Sequence, residues 1–201
     1  MTWATRHVGD RGVLVEVPDN PAVVRVARAL TGRAEFVEVV PGHRTVLVTW
    51  AGENQPQVLD ELVESALAAE SESSAGRRVE IPVVYDGADL DEVAELLQLS
   101  PEEVVVRHAA AEYVAAFIGF APGFAYLIGG DERLHVPRRP HPRARVPAGS
   151  VAIGGPYSGI YPRDTPGGWR LLGHTSVSLL DATRERPALI ASGDRVRFVR
   201  Q

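Results

Sequence analysis

The sequence predicts an α+β N-terminal domain followed by a mainly-β barrel domain, with a boundary near residue 76. Three observations predict it. Over the first seventy residues, short alternating apolar runs interleave with two segments of helical apolar spacing. A polar stretch, "ESESSAG" from Glu70 to Gly76, then breaks the pattern and reads as a linker. Residues 119–170 finally gather 18 of the 34 glycines and prolines, with short β-like runs between them.

The elements follow in order. "GVLVEV", Gly12 to Val17, reads as a strand. Asn20 caps a helix that begins at Pro21 and stops at Gly32, with Val23, Val26, Ala27 and Leu30 on its buried face. "EFVEVV" and "RTVLVTW" are strands joined by the turn "PGH". "QPQVLDELVESALAA" is a second helix that buries Val58, Leu62, Ser65/Ala66 and Ala69. The ββαββα order implies an antiparallel or mixed sheet with helices on one face, so residues 1–76 form a small α/β sandwich domain.

Residues 77–201 form the second domain. "RVEIPVVYD" reads as a strand and "DLDEVAELLQL" as a helix. "SPEEVVVRHAA" opens a further helix with a capping box, Ser100 at the cap, Pro101 at the first turn and Glu103 three residues on. "VPAGSVAIGG", "SGIYP", "GWRLLG", "TSVSLLD" and "PALIASGDRVRFV" then alternate with turns at barrel-like intervals.

Composition excludes much chemistry. There is no cysteine, which removes disulfides, thiolate metal sites and cysteine nucleophiles. All 21 basic residues are arginine, so Schiff bases, a tethered biotin and a P-loop lysine are absent from this sequence. The six histidines show no i, i+3 or i, i+4 pair, and no metal site is expected. No apolar run is long enough to span a bilayer and the first residues lack a signal-peptide core, so the chain is expected in the cytoplasm.

The net charge of −5 is unevenly spread. Residues 1–112 hold 20 of the 26 acids against 9 arginines. Arg133 to Arg163 then contains six arginines, two histidines and no acid. Such an enclave suits a small carboxylate or phosphate better than nucleic acid, or else pairs with the acidic first half. "PRRPHPR" presents Arg138, Arg139 and Arg143 on a chain stiffened by three prolines, so less ordering entropy is lost when an anion binds.

Two stretches could build a pocket. "GFAPGFAYLIGG" is too interrupted for a helix, and on a strand Phe120, Phe124 and Tyr126 would share a face. It reads as a barrel corner, a ligand pocket, or both. In "TPGGW" the rigid turn permits close backbone approach, and Trp169 is either a core anchor or a pocket wall. "GHTS" places His174 beside two hydroxyls as a possible proton carrier, with no acid near it in sequence to complete a triad.

Read as a string, "GFAPGFAYL", "VPRRPHPRARVPAGSVAIGG", "GIYP", "TPGGWRLLGHTS" and "SGDRVRF", in that order and with "GDRGVLVEV" near the start, resemble one family. It includes the B-type subunit of bacterial 5-oxoprolinase, the sporulation-kinase inhibitor KipI and the allophanate hydrolase subunit 1 proteins. The resemblance implies a cyclophilin-like β-barrel behind the small α/β domain. It also implies a homologous C-type subunit and an A-type subunit, which with ATP open 5-oxoproline, a small cyclic amide, to glutamate. The implied alternatives are a KipI-like inhibitor of a sensor histidine kinase and a carboxyltransferase-type subunit of urea metabolism.

On this resemblance Arg138, Arg139, Arg143, Ser150 and Thr165 are expected to bind substrate or anion, and His174 to carry a proton. Phe120, Pro122, Phe124, Tyr126, Tyr157 and Trp169 are expected to wall the pocket. The sequence departs from the family pattern "GGxQTGIYP": Tyr157 stands at the usual glutamine and Ser158 at the usual threonine, which bears on substrate preference. Ala125 likewise stands where proline is usual.

Overall fold

The structure, a computed structural model, describes residues 3–69 and 76–201. The linker expected at 70–76 therefore lies, save Gly76, outside the described residues. The chain divides into two compact units, 1–74 and 75–201.

In the first unit, β1 (Ala4–His7), β2 (Gly12–Glu16), α1 (Asn20–Leu30), β3 (Glu38–Pro41), β4 (Thr45–Thr49) and α2 (Val58–Ala68) follow one another. The strands form one antiparallel sheet in the order β1-β2-β4-β3. Alternation sends Val13, Val15, Val46 and Val48 to one face, where they are fully buried with Val23, Val26, Leu30, Leu59 and Val63 of the helices.

Two details differ from the sequence reading. The cap of α1 is Asp19, whose Oδ1 accepts from the Ala22 amide at 2.8 Å, while Asn20 lies inside the helix and donates to the His43 carbonyl. In α2 the buried residues are Leu59, Val63, Ala66 and Leu67; Val58 and Leu62 only flank the core, and Ser65 and Ala69 are exposed. Rotating the helix to that face replaces a serine with a leucine in the stripe, which buries more apolar surface.

The second unit contains β5 (Arg78–Val83), α3 (Leu90–Leu97), α4 (Pro101–Ala110), β6 (Glu112–Ile118), β7 (Ala125–Ile128), β8 (Arg143–Val146), β9 (Ser150–Gly154), β10 (Tyr157–Ile160), β11 (Thr165–Gly167), β12 (Arg170–His174) and β13 (Arg195–Arg200). Seven strands form a sheet in the order β12-β9-β10-β7-β6-β13-β5, and β8 pairs with β11 apart from it. Within the sheet β13 and β5 run parallel, and the other pairs are antiparallel.

The outer strands of this sheet meet. Val84, just past β5, bridges His174 at the end of β12, each amide donating to the other's carbonyl at 3.0 and 2.9 Å. The Gly87 amide continues the seam to the Leu172 carbonyl. The sheet is thus a nearly closed barrel, which removes its edges. Ile81, Val83, Ala115, Leu127, Val151, Val196 and Phe198 belong to its apolar core. The capping box forms as expected, with Ser100 Oγ accepting from the Glu103 amide and Glu103 Oε2 accepting from the Ser100 amide.

"TSVSLLD" does not form the expected strand; Leu180 makes only an isolated bridge to Ala188. "EYVAAFI" supplies β6 instead, a strand whose apolar run without clean alternation hid it in the sequence.

Candidate functional site

"GFAPGF" is the turn of the β6–β7 hairpin. Ala121 to Phe124 forms a β-turn closed by the Phe124 amide on the Ala121 carbonyl, with Pro122 and then Gly123 at φ +82°. Just before it, the Ala121 amide donates to the Gly119 carbonyl across Phe120, which sits at φ +66°. A phenylalanine in that region carries strain of about 1–3 kcal/mol, and this one is 60 % exposed.

Past the turn, alternation along β7 divides its side chains between two cores. Ala125 and Leu127 enter the barrel core, while Tyr126 and Ile128 face a second cluster with Phe117, Phe124, Tyr157, Tyr161 and Trp169. The rings interlock. Phe117 stacks on Tyr126 at 4.3 Å, Tyr157 lies nearly parallel to Trp169 at 6.3 Å, and Phe124 meets Tyr126, Tyr161 and Trp169 edge-on. Trp169 lies against Gly154 and Gly159, where an added Cβ would meet the indole at 2.8 and 3.0 Å. Those two glycines make the shelf for the indole.

Arg138 stands over Trp169 with its guanidinium carbon 5.9 Å from the ring centroid. It is exposed at the surface. Burial pushes the phenol of Tyr157 up to about 12 and raises that of Tyr126, so both remain protonated at neutral pH.

The other two arginines are engaged differently. Arg139 NH1 and Arg143 NH2 both donate to Asp89 Oδ1, at 2.7 and 2.6 Å, and Asp89 Oδ2 accepts from the Leu171 amide at 2.7 Å. Arg139 also reaches Glu92, and the buried Arg170 lies 2.8 Å from the same carboxylate. Burial works to raise the Asp89 pKa, but the hydrogen bonds and charges of Arg143, Leu171 and Arg139 outweigh it and hold the carboxyl below its ordinary value. Ser150 and Thr165 are buried, and Thr165 Oγ1 has no hydrogen-bond partner among the described residues.

His174 does have an acid. Its Nδ1 donates to Asp86 Oδ1 at 2.7 Å, with both side chains more than half exposed. The pairing is hidden in the sequence because the barrel seam joins residues 88 apart. Trp169 immediately precedes β12 and His174 ends it. The expected site residues therefore fall in three places: an aromatic platform before β12, in which Phe124, Tyr157 and Trp169 are buried as core and Arg138 lies on top; the histidine–aspartate pair at the end of β12, where Ser150 of β9 pairs with His174; and Thr165 on β11.

A further histidine carries no mark in the sequence. His108 on α4 is fully buried, with Tyr85 OH 2.8 Å from Nδ1 and Ser158 Oγ 2.8 Å from Nε2. Ser158 in turn donates to the Ala152 carbonyl, so the neutral ring donates through Nε2 and accepts at Nδ1. Burial depresses its pKa to about 3. No motif reveals it, because a histidine inside an amphipathic helix carries no local signal of its partners. A groove of about 580 Å³ between α4 and Gly129–Asp131 contains none of the expected site residues.

Among the described residues no group of three or more His, Cys, Asp or Glu could hold a metal ion, and no helix is long and apolar enough to cross a membrane. Residues 3–190 match the family described as "carboxyltransferase domain, subdomain C and D". The chain belongs to that family. Its carboxyltransferase-family relatives include the B-type subunit of 5-oxoprolinase from Escherichia coli O157:H7, 43% identical over 96% of this chain and 94% of the relative. The same subunit from Bacillus subtilis strain 168 is 41% identical over 98% and 92%. Among solved structures, TTHA0988 superposes with a TM-score of 0.82 and 37% identity over 95% of this chain, which spans 40% of that longer chain.

Proposed function

We propose that this chain is the B-type component of an ATP-dependent 5-oxoprolinase, working with a C-type and an A-type subunit to open 5-oxoproline to glutamate and inactive alone. Similarity at 41–43% identity over nearly the full length of proteins named as that subunit carries the reading. The two compact units are its two domains, divided near residue 76, and the second is cyclophilin-like.

The residues suit the task as follows. Arg138 binds the substrate carboxylate, by a charge-assisted hydrogen bond stronger than a neutral one. Tyr126, Tyr157 and Trp169 wall the flat ring, and Phe120 and Pro122 rim it. Arg139 and Arg143 hold that surface in shape. ATP, bound with the partner subunits, supplies the phosphoryl group that activates the amide oxygen. His174, oriented by Asp86, moves a proton at Nε2 where the partner subunits complete the assembly. Tyr157 stands in the ring wall where the family pattern has glutamine, a difference that bears on substrate preference.

The family description favours one second reading, carboxyl transfer to an amide. Biotin would then be carried on another chain, since this sequence has no lysine.

Co-expression with the C-type and A-type subunits, followed by an assay for ATP-dependent glutamate release from 5-oxoproline, tests the proposal. Release that requires all three chains supports it. A stable complex that instead carboxylates an amide in the presence of a biotin-bearing chain supports the second reading. Failure to form any complex overturns both.

A further inference from the structure

One buried carboxylate touches both sides of the platform. The strap Pro137–Arg143 is tied down by the Arg139 amide on the Gly168 carbonyl at 2.8 Å and by Arg170 Nε on the Pro137 carbonyl at 3.1 Å. Its side chains Arg139 and Arg143 converge on Asp89 Oδ1, and the other oxygen of Asp89 holds the Leu171 amide, two residues past Trp169. Asp89 is 1 % exposed, so solvent cannot take the place of these donors. Asp89 therefore links the strap that carries Arg138 to the strand entry that carries Trp169.

We infer that Asp89 is a positioning residue that sets Arg138 over Trp169 and so presents one open guanidinium, of the three on the strap, to an anionic ligand. The charge arrangement agrees. Arg139, Arg143 and Arg170 each pair with Asp89 or Glu92, although Arg139 Nε and Arg143 NH1 are buried without a hydrogen-bond partner among the described residues, whereas no acid pairs with Arg138 among the described ion pairs. A bridging carboxylate also explains why three arginines lie in a prolyl segment. Two of them fasten the segment and the third is displayed. Asparagine has a single oxygen, and could serve either the Leu171 amide or the arginines, but not both.

The inference rests on the reading of the platform as an anion site, yet it is testable without it. In the NMR spectrum of the full chain, the Nε–H of Arg138, identified by its loss in Arg138→Ala, carries the ring-current shift of Trp169. In Asp89→Asn that shift collapses to the value of a free arginine, while the β13 and β6 amide signals stay in place. Persistence of the shift in folded Asp89→Asn overturns the inference. Should that variant fail to fold, Asp89→Asn combined with Arg139→Gln and Arg143→Gln removes the charges on both sides together and releases the strap without leaving a buried ion unpaired, with the same expected loss and the same overturning result. In the assembled enzyme, Asp89→Asn and Arg138→Ala each raise KM for 5-oxoproline about ten-fold with kcat nearly unchanged. A lost ring-current shift with KM unchanged in both variants upholds the clamp and refutes Arg138 as the carboxylate-binding group.

Discussion

Asp86 accepts a 2.7 Å hydrogen bond from Nδ1 of His174 across the seam where the barrel closes. The backbone fixes both residues, because Val84 and His174 exchange amide hydrogen bonds two residues from the aspartate. With Nδ1–H committed to the carboxylate, the free Nε2 carries the lone pair and can take a proton. In the assembled enzyme His174→Gln should lower kcat by roughly 100-fold or more, and Asp86→Asn by about ten-fold, with KM little changed. Steady-state glutamate release is the measurement. Full activity in His174→Gln would take this pair out of the reaction.

Arg138→Ala removes a surface cation without touching the buried network around Asp89. The melting midpoint should stay within about two degrees of the parent. Binding of 5-oxoproline should weaken about ten-fold by calorimetry on the assembled enzyme. Arg143→Ala should instead destabilise the fold strongly, because it leaves Asp89 short of a partner. Equal melting midpoints in the two variants would contradict this division of roles.

The seam depends on a missing side chain. A Cβ on Gly173 would collide with the Val84 carbonyl oxygen and the backbone of Tyr85. Gly173→Ala should cost about 1–3 kcal/mol. That corresponds to a fall of roughly 5–15 °C in the second unit's melting midpoint, read by circular dichroism. A variant that melts like the parent would mean the β5 and β12 edges are not held together this closely.

His108 predicts an acid-sensitive fold. Its pKa is depressed to about 3 by burial, against 6.5 for the unfolded chain, so the unfolded state binds the extra proton between these values. The stabilisation is complete above pH ~6.5 and declines as pH falls toward ~3, by up to about 1.4 kcal/mol per unit. Chemical denaturation at pH values of about 5 and 7 should show the difference, and His108→Gln should flatten it. An equal slope in that variant would assign the acid sensitivity to other groups.

Local signals are legible where they act locally. The capping box at Ser100 and Glu103, the strand at Gly12 and the helix face of Val23, Val26 and Leu30 follow from spacing along a few residues. The cap at Asp19 and the buried face of α2 each differ by one residue from the spacing-based expectation, because neighbouring choices have similar local energies and packing decides between them.

The site divides in the same way. Residue types are set by the sequence alone: an arginine-rich prolyl strap, an aromatic turn, a lone His174, and the absence of cysteine and lysine chemistry. Three-dimensional packing settles which arginines pair with acids, which acid orients His174, and that the two groups lie at opposite ends of β12. Asp89 meets Arg143 across 54 residues and Asp86 meets His174 across 88. Ion pairs and hydrogen bonds act through space over a few ångströms, so partners that far apart in the chain become visible only when the sheet closes.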